Sequence, residues 1–157
     1  MKKLKISVLL FLTSLMFCYC SDNKEPTNEE MIDLFFSEIF KQENTSSKDL
    51  YSKYLFEDKA ATKLRDTLQN MFDKHISSLK VKKSHLLNKD IKFIVHKYED
   101  SNRDDLIQFV SDDTGGKDIY VITVDNNVEF YVLLKKDKIY SFEYVMKGDE
   151  GLFITYY

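Results

Sequence analysis

Apolar and polar residues recur along this chain with two different periods, and the change of period divides the chain into two halves. Up to about residue 83, apolar residues recur every three or four positions, which is the spacing of a helix with one buried face. From Asp90 onward the period is two, which is the spacing of a half-buried strand. Helices followed by a run of strands predict an α+β fold in which three N-terminal helices pack on one face of an antiparallel sheet.

The helices are predicted at about residues 27–40, 46–56 and 58–79. The first begins at a T-x-x-E capping box formed by Thr27 and Glu30, and Ser46 is placed to cap the second. The third contains no Gly or Pro and ends in lysines, which are favoured at the negative end of the helix dipole.

The strands are predicted at residues 91–98, 106–111, 119–124, 128–135, 139–146 and 152–157. The turn signals between the later strands are Asp112-Asp113-Thr114-Gly115-Gly116, Asp125-Asn126-Asn127 and Lys136-Asp137-Lys138. Short turns join antiparallel neighbours, so the last strands are expected to form one meander. The contact between helix and sheet is expected to bury Leu68, Phe72, Phe130 and Val132.

Alternation on two neighbouring strands assigns their side chains to two faces. The core face is predicted to carry Val128, Phe130, Val132, Leu134, Tyr140, Phe142, Tyr144 and Met146. The second face would then carry an apolar patch of Tyr131, Leu133, Ile139 and Val145. Such a patch usually marks an interaction surface, so a homodimer through this sheet face is predicted. The alternative is that sheet curvature, or the segment of residues 98–117, covers the patch.

The first 26 residues differ in pattern from the rest of the chain. Lys2, Lys3 and Lys5 precede an uncharged and mostly apolar run at residues 6–17. That run is shorter than the roughly 20 residues that span a bilayer, and it has the length of a signal-peptide core. The prediction is a signal peptide at residues 1–19, a tether at 20–26 and a single domain at 27–157.

The only two cysteines, Cys18 and Cys20, lie at the end of that apolar run. This placement resembles the lipobox of bacterial lipoproteins, in which a cysteine is lipidated and becomes the mature N-terminus. With the polar, acidic residues 21–25, it is similar to small secreted lipoproteins of the Bacteroidetes. The resemblance implies lipid attachment at Cys20, a membrane as partner, and a cell-envelope location at the outer membrane or cell surface. The alternatives are an anchor at Cys18, or cleavage before Ser21 and a soluble secreted or periplasmic protein.

The order of the elements resembles the nuclear-transport-factor-2-like, or cystatin-like, α+β roll, and the resemblance implies that the three helices pack on a curved antiparallel sheet. The segment YVLLKKDKIYSFEYV, residues 131–145, is similar to a hairpin of that family, with an aliphatic strand, a charged tip and an aromatic strand. The resemblance implies a cone-shaped pocket between helices and sheet, where enzymes of the family place Asp, His or Tyr groups for acid–base work. The same scaffold also serves as a binding or dimerisation module.

Charge and histidine spacing exclude several kinds of site. With 23 basic and 26 acidic residues the formal charge is −3, which provides no basic face for nucleic acid. His75 lies on the apolar stripe of the third helix, either as a pocket base or as a core-edge residue bonded to a backbone carbonyl. His85 and His96 fall at positions expected to be exposed, and the spacing of the three matches no local metal motif. No catalytic residue, metal or cofactor is therefore predicted.

The aromatic content is the most unusual feature of the composition. The chain has ten Tyr and twelve Phe but no Trp. Tyrosine combines a broad apolar ring with a hydroxyl group, which suits ligand pockets and protein interfaces. The residues expected to bind a ligand or partner are Tyr120, Tyr131, Leu133, Tyr140 and Tyr144. The sequence thus favours a non-enzymatic binding or interaction module of unidentified ligand. The alternative is a roll-family isomerase, dehydratase or hydrolase with a Tyr or His in the cone.

Overall fold

The computed structural model of the chain describes residues 24–43, 45–58, 63–109 and 118–154. The predicted signal peptide, both cysteines, the turn at residues 112–116 and the last three residues lie outside these ranges. Within them, no helix combines the length and the apolar character that crossing a membrane requires.

Among the described residues three helices come first, as predicted: α1 (Asn28–Lys41), α2 (Ser47–Tyr54) and α3 (Arg65–Lys82). The capping box at α1 is complete, because Glu30 N donates to Thr27 Oγ1 at 3.2 Å and Thr27 N donates to Glu30 Oε2 at 2.8 Å. Ser46 Oγ accepts from the backbone of the α2 first turn. No side chain caps the start of α3, and this helix begins later than the predicted residue 58. The sequence located the start of a helix well only where a cap marks it.

Seven strands follow: β1 (Ile94–Lys97), β2 (Gln108–Phe109), β3 (Ile119–Val124), β4 (Asn127–Lys135), β5 (Lys138–Ser141), β6 (Tyr144–Lys147) and β7 (Glu150–Phe153). They form a four-stranded antiparallel sheet in the order β1-β3-β4-β5 and a three-stranded sheet in the order β2-β7-β6. In the smaller sheet β6 and β7 are antiparallel, and β2 lies parallel to β7. The α+β class and the helices packed on a sheet are confirmed.

The single meander expected for the last strands is wrong, because the predicted strand at residues 139–146 breaks in the middle. Phe142 and Glu143 separate β5 from β6. The Phe142 ring turns toward the helices, 5.4 Å from the ring of Phe35. Ser141 Oγ accepts from Glu143 N and lies within hydrogen-bond distance of the Glu143 carbonyl. Burial of the ring and this local hydrogen bonding stabilise the break, and β6 joins the second sheet.

Two β-bulges, one in β4 and one in β5, change which side chains point to the core face of the large sheet. The register with β4 passes from Leu133–Ser141 to Leu134–Ile139, so Tyr140 is an extra residue in β5. Ile139, predicted on the second face, therefore points into the core and is fully buried. A second extra residue, Glu129, places Val128 opposite Thr123 rather than on the face of Phe130. A period of two cannot reveal an inserted residue, since each bulge shifts the alternation by one.

The second face of the large sheet is covered rather than exposed. Val121 and Tyr131 are buried there. The Tyr131 ring lies 5.0 Å from Phe109 and 5.5 Å from Tyr144, and its hydroxyl oxygen accepts from Ile107 N at 3.0 Å. The alternative expectation, that the segment following residue 98 folds over the sheet, holds for its described part. The predicted contiguous patch is wrong, because of its four members only Val145 is strongly exposed and it belongs to the smaller sheet.

Between helices and sheet lies the main core. The Phe36 ring of α1 stacks on Phe130 of β4 with centroids 4.4 Å apart, and Phe40 lies 5.9 Å from the same ring. Phe72, Phe130 and Val132 are buried as predicted, and Leu68 packs against the cluster while partly buried. This aromatic stacking joins the first helix to the centre of the sheet.

Replacing Phe130 by Ala should destabilise the protein by about 3–5 kcal/mol, since it removes a stacked ring and leaves a cavity. Urea titration followed by circular dichroism measures the free energy of unfolding. The control is Val81→Ala on the exposed surface of α3, which should change that free energy by no more than about 0.5 kcal/mol. A Phe130→Ala effect as small as that of the control would mean that the face of β4 is assigned wrongly.

Candidate functional site

A small pocket opens between α3 and the break that follows β5. Its lining is mostly apolar and aromatic and consists of Tyr51, Leu68, Met71, Phe72, His75, Ser141 and Phe142. The cavity volume is about 20 Å³. That volume suits about one water molecule, whereas ligand pockets commonly measure roughly 300–1,000 Å³. The pocket formed by the described residues is therefore too small for a substrate.

His75 is the titratable group of this lining that the sequence singled out. Its side chain is 15% exposed, and its Nε2 lies 3.1 Å from Glu143 Oε1. The imidazole centroid is 5.3 Å from that of Phe142. Burial lowers the pKa of His75 below the ordinary value of 6.5; the nearby Glu143 carboxylate opposes this shift, and Lys82 adds to it. The balance favours a neutral imidazole next to a carboxylate.

Glu143 is the functional candidate that sequence reasoning missed. It lies far from His75 in the chain and meets it only because β5 ends before Phe142. The sequence favoured a backbone carbonyl as the partner of His75, whereas Nε2 faces a carboxylate. Nothing in the sequence indicated this pair, because Glu143 lies within the strand predicted at residues 139–146, where it is one polar position among apolar ones.

The pocket lining includes two hydroxyl groups, those of Ser141 and Tyr51. Ser141 Oγ lies within hydrogen-bond distance of the carbonyls of Glu143 and Ile154, so it satisfies backbone groups at the strand break. Burial raises the pKa of Tyr51, and the charge of Glu57 raises it further while Arg65 opposes the rise. The raised pKa disfavours the ionised form of the Tyr51 hydroxyl, which is the more nucleophilic form.

The predicted binding residues do not gather at one site. Tyr131 and Tyr144 meet in the aromatic layer between the two sheets, and burial raises the pKa of Tyr131. Tyr120 lies on the opposite face, in the helix-side core, where its hydroxyl oxygen accepts from an asparagine of α1. Tyr140 lies half-buried at the rim, and Leu133 is half-buried on β4. The aromatic surplus therefore fills two layers of packing.

A second polar cluster lies where α3 ends. Glu129, the bulge residue of β4, contacts Lys83 Nζ at 2.8 Å and His85 Nε2 at 3.1 Å. His85 and His96 are both exposed, as predicted. Across the ranges that the structure describes, no three His, Cys, Asp or Glu side chains are grouped so as to hold a metal ion.

Acid should destabilise the protein through His75. Because burial lowers the folded-state pKa of this group, the unfolded chain binds more protons once the pH falls below about 6.5. The free energy of unfolding should therefore decline from that pH down to the lowered folded-state pKa. Urea titrations at several pH values should show a smaller decline for His75→Gln than for the wild type.

The matched control is His96→Gln, at an exposed position of β1, which should keep the wild-type decline. An identical pH dependence in the wild type and His75→Gln would contradict the assignment to His75.

Comparison with known proteins adds no further likeness. No family model, no curated protein and no solved structure matched this chain. The likeness to the cystatin-like roll therefore rests on the order of elements, and the curvature of that roll stays a prediction. What the chain does must be argued from its own residues.

Proposed function

We propose that this protein is a cell-envelope lipoprotein, anchored by lipid on Cys20, that acts as a non-enzymatic binding or interaction module. The observation that supports the second part is the dense aromatic packing of the residues that the structure describes. The pocket beside His75 has a volume of about 20 Å³, and the aromatic residues pack on one another. A module of this kind acts through its surface, and the likeness to roll domains that serve as binding modules supports this role.

The leader supports the anchoring part of the proposal. A positive start, an uncharged apolar run and cysteines only at its end are the pattern of a lipidated signal peptide. The polar residues after Cys20 would separate the acyl chains from α1, whose capping box begins at Thr27. The domain would then stand at the membrane surface on a short tether.

One observation favours a second candidate, an enzyme of the roll type. His75 and Glu143 bring two titratable groups together beside an apolar pocket, and a buried histidine of lowered pKa is a common general base. Catalysis would need the pocket to widen, because its present volume excludes a substrate. The pair is in that case the first place to test.

Replacing Cys20 by Ala should release the protein from the membrane fraction, since the acyl chains would have no attachment point. Cell fractionation and intact-mass analysis of the detergent-extracted chain measure this, and the wild type should begin at Cys20 with added acyl mass. Cys18→Ala is the matched control and should stay anchored. A soluble wild-type protein whose N-terminus is Ser21 would contradict the anchoring proposal.

Complementation of a deletion strain separates the two candidate functions. A chain with His75→Gln should restore the wild-type phenotype, because a non-enzymatic module does not need a titrating imidazole at this position. Cys20→Ala should fail to restore it, because the domain would leave its membrane. If folded His75→Gln fails while membrane attachment is normal, the enzyme candidate is favoured instead.

A further inference from the structure

Among the residues that the structure describes, strand β6 lies at the edge of the smaller sheet. In the order β2-β7-β6, the described residues pair β6 with β7 on one side only. The hairpin turns through Gly148 and Asp149, with Lys147 opposite Glu150. In a two-residue hairpin the pair flanking the turn is hydrogen-bonded, so Lys147 and Val145 direct their main-chain groups to β7. Tyr144 and Met146 therefore direct theirs outward, where an added strand would bind.

The side chains of this edge are apolar and exposed. Val145 is 47% exposed and Met146 51% exposed, and Leu152, opposite Val145 on β7, is 37% exposed. Natural sheets usually protect an edge with short strands or charged residues, because unpaired main-chain groups recruit further strands. An open edge with apolar side chains is suited to strand addition.

The sequence of the edge is complementary to itself when it is reversed. The segment reads Glu143-Tyr144-Val145-Met146-Lys147. In an antiparallel pair with a second copy centred on Val145, Tyr144 lies opposite Met146 and Glu143 lies opposite Lys147. Both pairs occur twice by symmetry, as in an isologous two-fold interface. Opposite charges face each other at both ends.

The direction of the main-chain groups limits the alternatives. Only registers that place Tyr144 and Met146 opposite outward-facing residues of the other copy make hydrogen bonds. Pairs centred on Tyr144 or on Met146 also meet this condition, but neither of them places Glu143 opposite Lys147, whereas the pair centred on Val145 does so twice. Charge therefore selects the register centred on Val145.

That register also provides cover for exposed side chains. Met146 of one copy would lie beside Tyr144 of the other, and a thioether beside an aromatic ring is a favourable contact. Tyr144 already belongs to the aromatic layer between the sheets, 5.6 Å from Phe109, so the contact would extend that layer across the interface. Glu143 can keep its contact with His75, because a carboxylate accepts several hydrogen bonds.

We infer that β6 is a self-association edge, at which two copies of this chain pair antiparallel about Val145 and continue the small sheet from one copy into the other. This interface replaces the covered sheet face on which a homodimer was expected from the sequence. It requires neither the lipid anchor nor any ligand. Four residues on each side bury less than the roughly 1,200–2,000 Å² of a stable interface, so the dimer is weak and depends on concentration.

Disulfide trapping tests the edge and its register. Val145→Cys places the two introduced thiols opposite each other across the two-fold axis, at the close Cα separation of about 4.5 Å that a disulfide can bridge. Leu152→Cys is the matched control on the same surface. It lies one strand inward, so its two copies would be about 14 Å apart, or three strand spacings. Each full chain is expressed with its own leader, extracted in detergent and mildly oxidised, and the wild type gives the background from Cys18 and Cys20.

The expected result is a covalent dimer above background for Val145→Cys and none for Leu152→Cys. Dimer from neither variant, or equally from both, would overturn the proposal, and so would dimer from Met146→Cys alone. Sedimentation of the detergent-extracted full chain gives an independent measurement. Lys147→Glu, at an exposed position, should weaken association at least about tenfold, because it places like charges opposite each other at both ends. An unchanged association constant for this folded variant would also overturn the proposal.

Discussion

Burial of β3 on both faces is the constraint on which the rest of the structure depends. All six of its residues are buried, although it belongs to an antiparallel sheet of which only one face meets the helices. A strand of this kind needs apolar cover on each side. The helices supply one layer through Phe36 and its neighbours, and the smaller sheet supplies the other through Phe109 and Tyr144. Many of the aromatic residues lie in these two layers.

One local event, the break after Ser141, produces several features of the molecule. It sends the Phe142 ring into the core, where Phe72 and Phe35 contact it. It turns Glu143 toward His75, and it releases β6 to pair with β7 in a separate sheet. The pocket, the titratable pair and the open edge therefore have a common origin. A change that restored a continuous strand here would remove all three.

The packing also bears on function. The pocket beside His75 is about the size of a water molecule, and aromatic rings pack on both faces of the large sheet. Three of the exposed apolar side chains, Val145, Met146 and Leu152, lie together on the hairpin of β6 and β7. For a domain proposed to stand on a membrane, such a surface provides a means of contact with neighbours. The His75–Glu143 pair is the feature that would support chemistry, if the pocket widened.

Signals that act over a few residues were readable from the sequence by itself. The period of three or four, the capping box at Thr27 and the turn at residues 125–126 determine the three helices, the α+β order and the main hairpin. The helix-side burial of Phe72, Phe130 and Val132 follows from the same periods. The late start of α3, the bulges at Glu129 and Tyr140, and the break after β5 were decided by tertiary packing. An inserted residue or a broken strand costs ladder hydrogen bonds, and contacts with residues far away in the chain, such as the burial of Phe142 against the helices, help to offset that cost.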